Sequence, residues 1–417
     1  MSFINEKKVL SLFSGCGGMD IGIEGDFTCL SKSINKAINK SWISEDYGDF
    51  VKLKKTGFIT VFANDIRLDA KTAWLNYFSK KRKINDDLYR TESIVDLVKY
   101  HKSGNSIFPE NIDLVTGGFP CQDFSLAGNR EGFNSKKGHN KSNDFDTKTE
   151  NRGTLYLWMK EVIGIVKPKM FIAENVKGLV SLKQAKEKIE KDFSIASGEE
   201  YIVIPARVLQ AANFGVPQSR ERVFFFGFKK SALKPTALLE LQKEYIISDY
   251  DPYPTPTHNY SANGDNLSDF MRSRDAFIRL DEPDTTTDPS QSKYSRAKLS
   301  KGQGNNEINL DNVAPTIRSE HHGNIEYRRL ELKNGGRNID ELSAGLKERR
   351  LSVRECARLQ TFPDEYQFIL PKTTDLVSVS ASSAYKIIGN AVPCLLAYNI
   401  AMNLTAKWNK YFNDDSE

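Results

Sequence analysis

The feature that most restricts the fold is a series of short apolar runs, each leading into a residue able to bind a ligand or do chemistry. "KVLSLFSGCGG" (8–18) is an apolar strand that enters a glycine-rich turn. "FITVFANDI" (58–66) is a second run and delivers Asp65 at its C-terminal end. "IDLVTGGFPC" (112–121) delivers Cys121, and "MFIAENV" (170–176) carries Glu174. Between them lie stretches of helical spacing. One is "RLDAKTAWLNYF" (67–78); another is "TLYLWMKEVIGIVK" (154–167), with Leu155, Trp158, Met159, Val162 and Val166 on one face. Strands alternating with helices predict an α/β fold around a parallel sheet. In open sheets of that class, ligands bind outside the carboxyl ends of the strands. The glycine turn, Asp65, Cys121 and Glu174 all fall there.

Each signal taken singly has a plainer reading. The turn at Gly15, Gly17 and Gly18 does not have the G-x-G-x-x-G spacing, so alone it indicates only a tight turn. Asp65 suits either ribose hydroxyls or a helix N-cap. Glu174 reads as a cap or as a site carboxylate, and Cys121 as a small buried hydrophobe or a nucleophile. "NFGVPQSRERVFFFGF" (213–228) sets Arg220 and Arg222 two apart before an apolar strand, so they are expected to point the same way. The alternative is a solvated basic edge.

The strand–helix alternation stops near residue 230. Residues 231–348 are rich in Ser, Asn, Asp, Thr and basic residues, yet keep aromatic and apolar ones, so a separate irregular domain is expected. Order returns at 349, where Ser352 and Glu355 form an S-x-x-E capping box. Pro393 opens a C-terminal helix. The expected organisation is therefore 1–230, 231–348 and 349–417, with a long polar loop over 133–151. Five cysteines without a C-x-x-C pair argue against a disulfide framework or zinc site. His321 and His322 lack a surrounding ligand cluster, so no metal is expected. There is no apolar run of about 18 residues to span a membrane and no signal-peptide layout, so the expected location is the cytoplasm. The net charge of +5 permits nucleic-acid binding without demanding it.

Eight motifs, in order, give these features one meaning: "LFSGCGG", "AND", "GGFPCQDFSLAG", "RGTL", "ENVKGL", "QSRERVFFFG", "RECARLQTFP" and "GNAVP". The chain resembles the DNA (cytosine-5) methyltransferases of bacterial restriction–modification systems over 8–228 and 349–405. The resemblance implies a Rossmann-like S-adenosylmethionine-dependent methyltransferase domain with a smaller target-recognition domain at 231–348. It implies methylation of carbon 5 of cytosine in double-stranded DNA, on a base flipped out of the helix. Cys121 is then the thiolate that adds to carbon 6. Glu174 faces ring nitrogen 3, Arg222 holds the base's carbonyl oxygen and Arg220 supports it. For S-adenosylmethionine the resemblance implies Phe13, Gly15, Gly18, Asp65, Ile66, Ser93, Leu155 and Asn390.

Three departures from the family pattern stand out. Ile66 replaces a frequent tryptophan. Ser93, in "TESIVDL", falls where an aspartate usually holds the adenine amine. An insertion between "NREGF" and "RGTL" lengthens the loop expected to close over DNA. DNA contacts are assigned to Gln122, Ser125 and Arg152 beside the site. In the recognition segment they are assigned to Arg318, His321, His322 and Asn324, which cluster in one short stretch, with a structural turn at "HHGN" as the alternative; the surrounding "PTIRSEHHGNIEYRR" resembles the recognition domains of members that modify GGNCC or GGWCC. A monomer paired functionally with a cognate restriction endonuclease is expected. The alternative on the same scaffold is a tRNA cytosine-5 methyltransferase. A nicotinamide dehydrogenase leaves the Pro-Cys and Glu-Asn-Val strand ends without a role, and a non-catalytic regulator leaves Cys121, Glu174 and Arg222 unexplained.

Overall fold

A computed structural model describes residues 6–85, 87–120, 155–181, 183–260, 266–296, 306–319 and 326–413. The strands that shape the catalytic body are, in chain order, β1 (Lys7–Leu12), β2 (Thr28–Leu30), β3 (Ile43–Asp46), β4 (Phe50–Leu53), β5 (Phe58–Asn64), β6 (Tyr89–Arg90), β7 (Leu114–Gly118), β8 (Met170–Val176), β9 (Ile195–Ala196), β10 (Glu199–Gln210) and β11 (Glu221–Lys229). Eight form one sheet in the order β6-β5-β1-β7-β8-β11-β10-β9. From β6 to β8 the pairing is parallel. β11 then inserts antiparallel between β8 and β10. From β1 the chain moves one way to β5 and β6, and the other way to β7 and β8. The switch point, where an open sheet leaves a ligand crevice, therefore lies between β1 and β7.

Alternate side chains of each strand enter different cores, as the period of two requires. Met170 and Ile172 of β8 join one cluster and Phe171 and Ala173 join the other. The first cluster is covered by the helices Gly18–Glu24, Leu68–Phe78 and Cys394–Tyr411, the second by Ile94–Lys102, Leu155–Val166 and Lys183–Phe193. The result is a sheet buried on both faces, which is why its strands read as continuous apolar runs. The stretch Ala381–Tyr411 is apolar and long enough to cross a membrane, but it is mostly buried in this core.

Two close approaches fix how the C-terminal return docks. A Cβ on Gly18 would lie 2.4 Å from the carbonyl oxygen of Val392, and one on Gly22 would lie 2.2 Å from that of Cys394. The glycine-rich turn thus serves packing as much as ligand approach. The capping box also forms: Ser352 Oγ accepts from Glu355 N at 3.0 Å, and Glu355 Oε2 accepts from Ser352 N at 2.8 Å.

The described residues between 231 and 348 are irregular, with helices as short as Ser273–Ala276 and Pro289–Ser292. Their packing is continuous with the catalytic body. Ala237, Tyr253, Met271, Phe277, Ile308 and Ile317 belong to the first core cluster, together with Val9 and Ile172. Tyr253 Oη donates to the Phe224 carbonyl of β11 at 2.7 Å. A second tie comes from the small sheet β2-β4-β3, which the sequence pattern did not disclose. Just beyond β2, buried Asn35 donates to the carbonyls of Thr257 and Asn266 at 3.0 and 2.7 Å. A third is a charge network in which Arg349 joins Glu355 at 2.8 Å and Glu282 at 3.0 Å, while Arg329 also reaches Glu282.

Candidate active site

The turn after β1 is held by the two strands beside it. Ser14 N donates to the Asn64 carbonyl of β5 at 2.9 Å. Gly15 N donates to Asp65 Oδ2 at 3.1 Å, and Arg67 N donates to Asp65 Oδ1 at 2.9 Å. Burial pushes the Asp65 carboxyl up and the two backbone donors oppose that. Gly15 sits at φ 53°, and among the described residues, its two chain neighbours aside, no atom lies within 4 Å of where a Cβ would be, so the turn is an open cradle. Phe13 also lies at φ 53°, a strained value for an aromatic residue and the kind of backbone found at ligand sites.

The other expected cofactor residues occupy distinct settings. Ile66 is 48% exposed beside Asp65, which an apolar wall for a planar ring requires. Ser93 is the N-cap of the helix Ile94–Lys102, accepting from Val95 N at 3.3 Å. Leu155 is buried at the first residue of its helix. Asn390 is exposed at the end of the helix Ala381–Asn390, next to Ala391, whose Cβ would be 3.0 Å from one on Gly18. The fold therefore brings Gly18 and Asn390, distant in sequence, to one end of the sheet.

A second group forms where β7, β8 and β11 meet. Gly118 pairs in register with Glu174, and Val176 pairs with Arg222. Glu174 and Arg222 project from the same face of the sheet, and Arg222 Nε lies 3.0 Å from Glu174 Oε1. Burial raises the Glu174 pKa; the charges of Arg222 and then Arg220 oppose the rise. The carboxyl therefore holds a proton more readily than an exposed one, beside a fixed cation. Asn175 Nδ2 donates to the buried Phe119 carbonyl at 3.0 Å, which fixes the chain just before Pro120. Cys121, Gln122, Ser125 and Arg152 lie outside the described residues.

Arg220 does not share Arg222's setting. It precedes β11 and is fully buried, and it donates to the carbonyls of Ile317 at 3.0 Å, Gly389 at 2.8 Å and Ala391 at 2.9 Å. Its charge reaches Glu174 through space, but its hydrogen bonds join the segment around Ile317 to the C-terminal return. Gln218, to which the sequence pattern gave no role, works alongside it. Its Oε1 accepts from Ile317 N at 2.9 Å and its Nε2 donates to the Leu359 carbonyl at 3.0 Å. Arg318 follows Ile317, with its backbone packed on Gly389, where a Cβ would lie 2.4 Å from the Arg318 carbonyl carbon. His321, His322 and Asn324 lie outside the described residues. Gln218 and Asn175 sit inside the quoted motifs, so their positions were visible although their bonds were not.

A switch-point cradle with an acidic strand end beside it, and a buried acid–guanidinium pair two strands away, is the layout of a Rossmann-like methyltransferase with a separate site for the group it modifies. Comparison with known proteins gives the particular family. The family model described as "C-5 cytosine-specific DNA methylase" matches residues 48–406. The type II methyltransferase M.BsuRI of Bacillus subtilis is 31% identical over 96% of this chain and 79% of its own length. M.FnuDI of Fusobacterium nucleatum is 28% identical over 95% of this chain and 94% of its own. The crystal structure of the S. pombe Dnmt2 methyltransferase shares the fold, with a TM-score of 0.54 and 18% identity over 95% of this chain and 98% of that one. This chain belongs to the C-5 cytosine-specific DNA methylases.

Proposed function

We propose that the chain methylates carbon 5 of a flipped cytosine in double-stranded DNA, with S-adenosylmethionine as donor, through a covalent bond from Cys121 to carbon 6. The observation that carries this reading is the buried Glu174–Arg222 pair, set in register with the end of the strand that leads to Cys121. Carbon 5 is a poor nucleophile. When the Cys121 thiolate bonds to carbon 6, electron density moves through the ring to nitrogen 3. Glu174, whose proton affinity burial raises, supplies a proton there, and Arg222 holds the carbonyl oxygen. The ring is then an enamine with a nucleophilic carbon 5. The donor supplies an electrophilic methyl group. Loss of the carbon-5 proton to a base expels the Cys121 sulfur, and Glu174 takes back its proton.

The described residues suit the donor. Gly15 leaves space, Asp65 is aimed by two backbone donors and keeps lone pairs for ribose hydroxyls, and Ile66 offers an apolar wall. Phe13, Gly18, Ser93, Leu155 and Asn390 complete the proposed cofactor set. We assign DNA contacts to Gln122, Ser125, Arg152, Arg318, His321, His322 and Asn324. We further propose that the protein acts as a cytoplasmic monomer that protects DNA from a cognate restriction endonuclease.

Duplex DNA carrying 5-fluorocytosine tests the proposal, because fluorine cannot leave as a proton and the adduct persists. The full chain with S-adenosylmethionine should give a complex that survives denaturation. Cys121→Ser should give none, and Glu174→Gln should form it more slowly. Active enzyme that forms no such complex would rule out the covalent route.

A further inference from the structure

We infer that Tyr89 is a positioning residue for the cofactor turn, an inference that rests on the cofactor site proposed above. Tyr89 lies in the two-residue edge strand β6, outside every motif that marks the family. Its ring is fully buried, with its centroid 5.5 Å from that of Trp74. Its hydroxyl does not end in the core. It donates to the carbonyl oxygen of Gly15 at 2.8 Å.

The same glycine donates its N–H to Asp65 Oδ2 at 3.1 Å. The two peptides flanking Gly15 are therefore held by side chains from two different strands, Asp65 after β5 and Tyr89 from β6. Among the described residues nothing else packs on this glycine from the side a Cβ would occupy, and a glycine at φ 53° has other conformations within reach. A backbone bond from Gly17 N to the Ser14 carbonyl at 2.9 Å closes the turn, and the two side-chain bonds fix how the Gly15 peptides are set within it. Burial pushes the Tyr89 phenol well above its ordinary range, so it stays a donor at any working pH. Holding the turn in its binding shape before the ligand arrives removes an ordering cost from binding. It also fixes the direction in which Gly15 presents its N–H to Asp65, and so the aim of that carboxylate.

The plain alternative is a core tyrosine whose hydroxyl has merely found an acceptor. The two accounts differ in what Tyr89→Phe does. Phenylalanine keeps the ring against Trp74 and deletes only the donor. If Tyr89 positions the turn, the Kd and KM for S-adenosylmethionine should rise about two- to tenfold, the equivalent of one net hydrogen bond. The kcat at saturating cofactor and the KM for DNA should change by less than about twofold. The loss should also be less than multiplicative with Asp65→Ala, because both side chains act through Gly15. Calorimetric titration of the full chain with S-adenosylmethionine, steady-state rates and a thermal melt supply the readouts. A lowered melting temperature with unchanged cofactor Kd overturns the inference and leaves Tyr89 a packing residue. Fully multiplicative losses in the double variant overturn it too. If the unmodified chain itself fails to bind S-adenosylmethionine, the cofactor site falls and the inference falls with it.

Discussion

Replacing Arg220 by methionine is the most demanding test of how this structure is held together. The side chain is fully buried and donates to three backbone carbonyls, those of Ile317, Gly389 and Ala391, at 2.8–3.0 Å. Methionine fills a similar volume and adapts to irregular space, so little packing is lost. What is lost is every donor. Each buried acceptor left without a partner costs about 1–3 kcal/mol. Removing a desolvated charge returns part of that sum, so the expected net loss is about 3–5 kcal/mol. Equilibrium urea denaturation, followed by the fluorescence of the four tryptophans, measures it. Arg222→Met is the control. Its main partner, Glu174, already tends toward protonation through burial and can discharge when left alone, so that variant should lose less than half as much. An Arg220→Met protein within about 1 kcal/mol of the parent, or one more stable than Arg222→Met, would refute the reasoning.

Other outcomes follow from buried charges. Burial raises the Asp20 carboxyl from 3.8 to about 6, against donors from Ser11 and Trp74. The folded state thus holds this proton more tightly than the unfolded chain, a stabilisation complete below about pH 4 and lost as pH rises through about 6. In Asp20→Asn the slope of unfolding free energy against pH across that window should become more positive by up to about 1.4 kcal/mol per pH unit, because a contribution that falls with rising pH is removed; identical slopes would count against it. Arg349→Met should destabilise by about 3–5 kcal/mol, because it leaves buried Glu355 unpaired. Adding Glu355→Met should recover most of that loss in the same denaturation assay, and no recovery would show that the pair is not what Arg349 contributes.

The sequence revealed those parts of the protein in which chemistry and local order coincide. β1, β5, β7 and β8 were legible because a strand buried on both faces is a continuous apolar run, and because each leads into a residue with chemistry. β2, β3 and β4 were not. They are short and partly exposed, and the residues beside them, Trp42 and Asn35, make their contacts with Tyr398 and Thr257, far away in sequence. The alternation of Arg220 and Arg222 suggested a shared direction. Strand periodicity does not reach Arg220, which lies one residue before β11 and turns to carbonyls that only the folded chain brings near. Tyr89 carried no signal at all, since a tyrosine in a two-residue edge strand looks like any other core aromatic. The irregular nature of 231–348 was legible from composition. Its sharing of one core with the sheet was not, because a contact such as Tyr253 to Phe224 has no local pattern.

The docking of the helix Cys394–Tyr411 against the helix Gly18–Glu24 has a consequence for synthesis. The helix Gly18–Glu24 leaves the ribosome long before the helix it buries its apolar side on, with Gly22 pressed against Cys394. Until residues 394–411 have emerged, that side of the sheet is open, and contacts of such long sequence separation form late. The nascent protein must therefore travel with an uncovered apolar face, a natural target for chaperones and for proteases. A premature stop before residue 394 should leave an aggregating product rather than a weakened enzyme. Activity then belongs only to chains in which residues 394–411 have been made, and the supply of modifying enzyme is timed by the synthesis of that helix rather than by the start of translation.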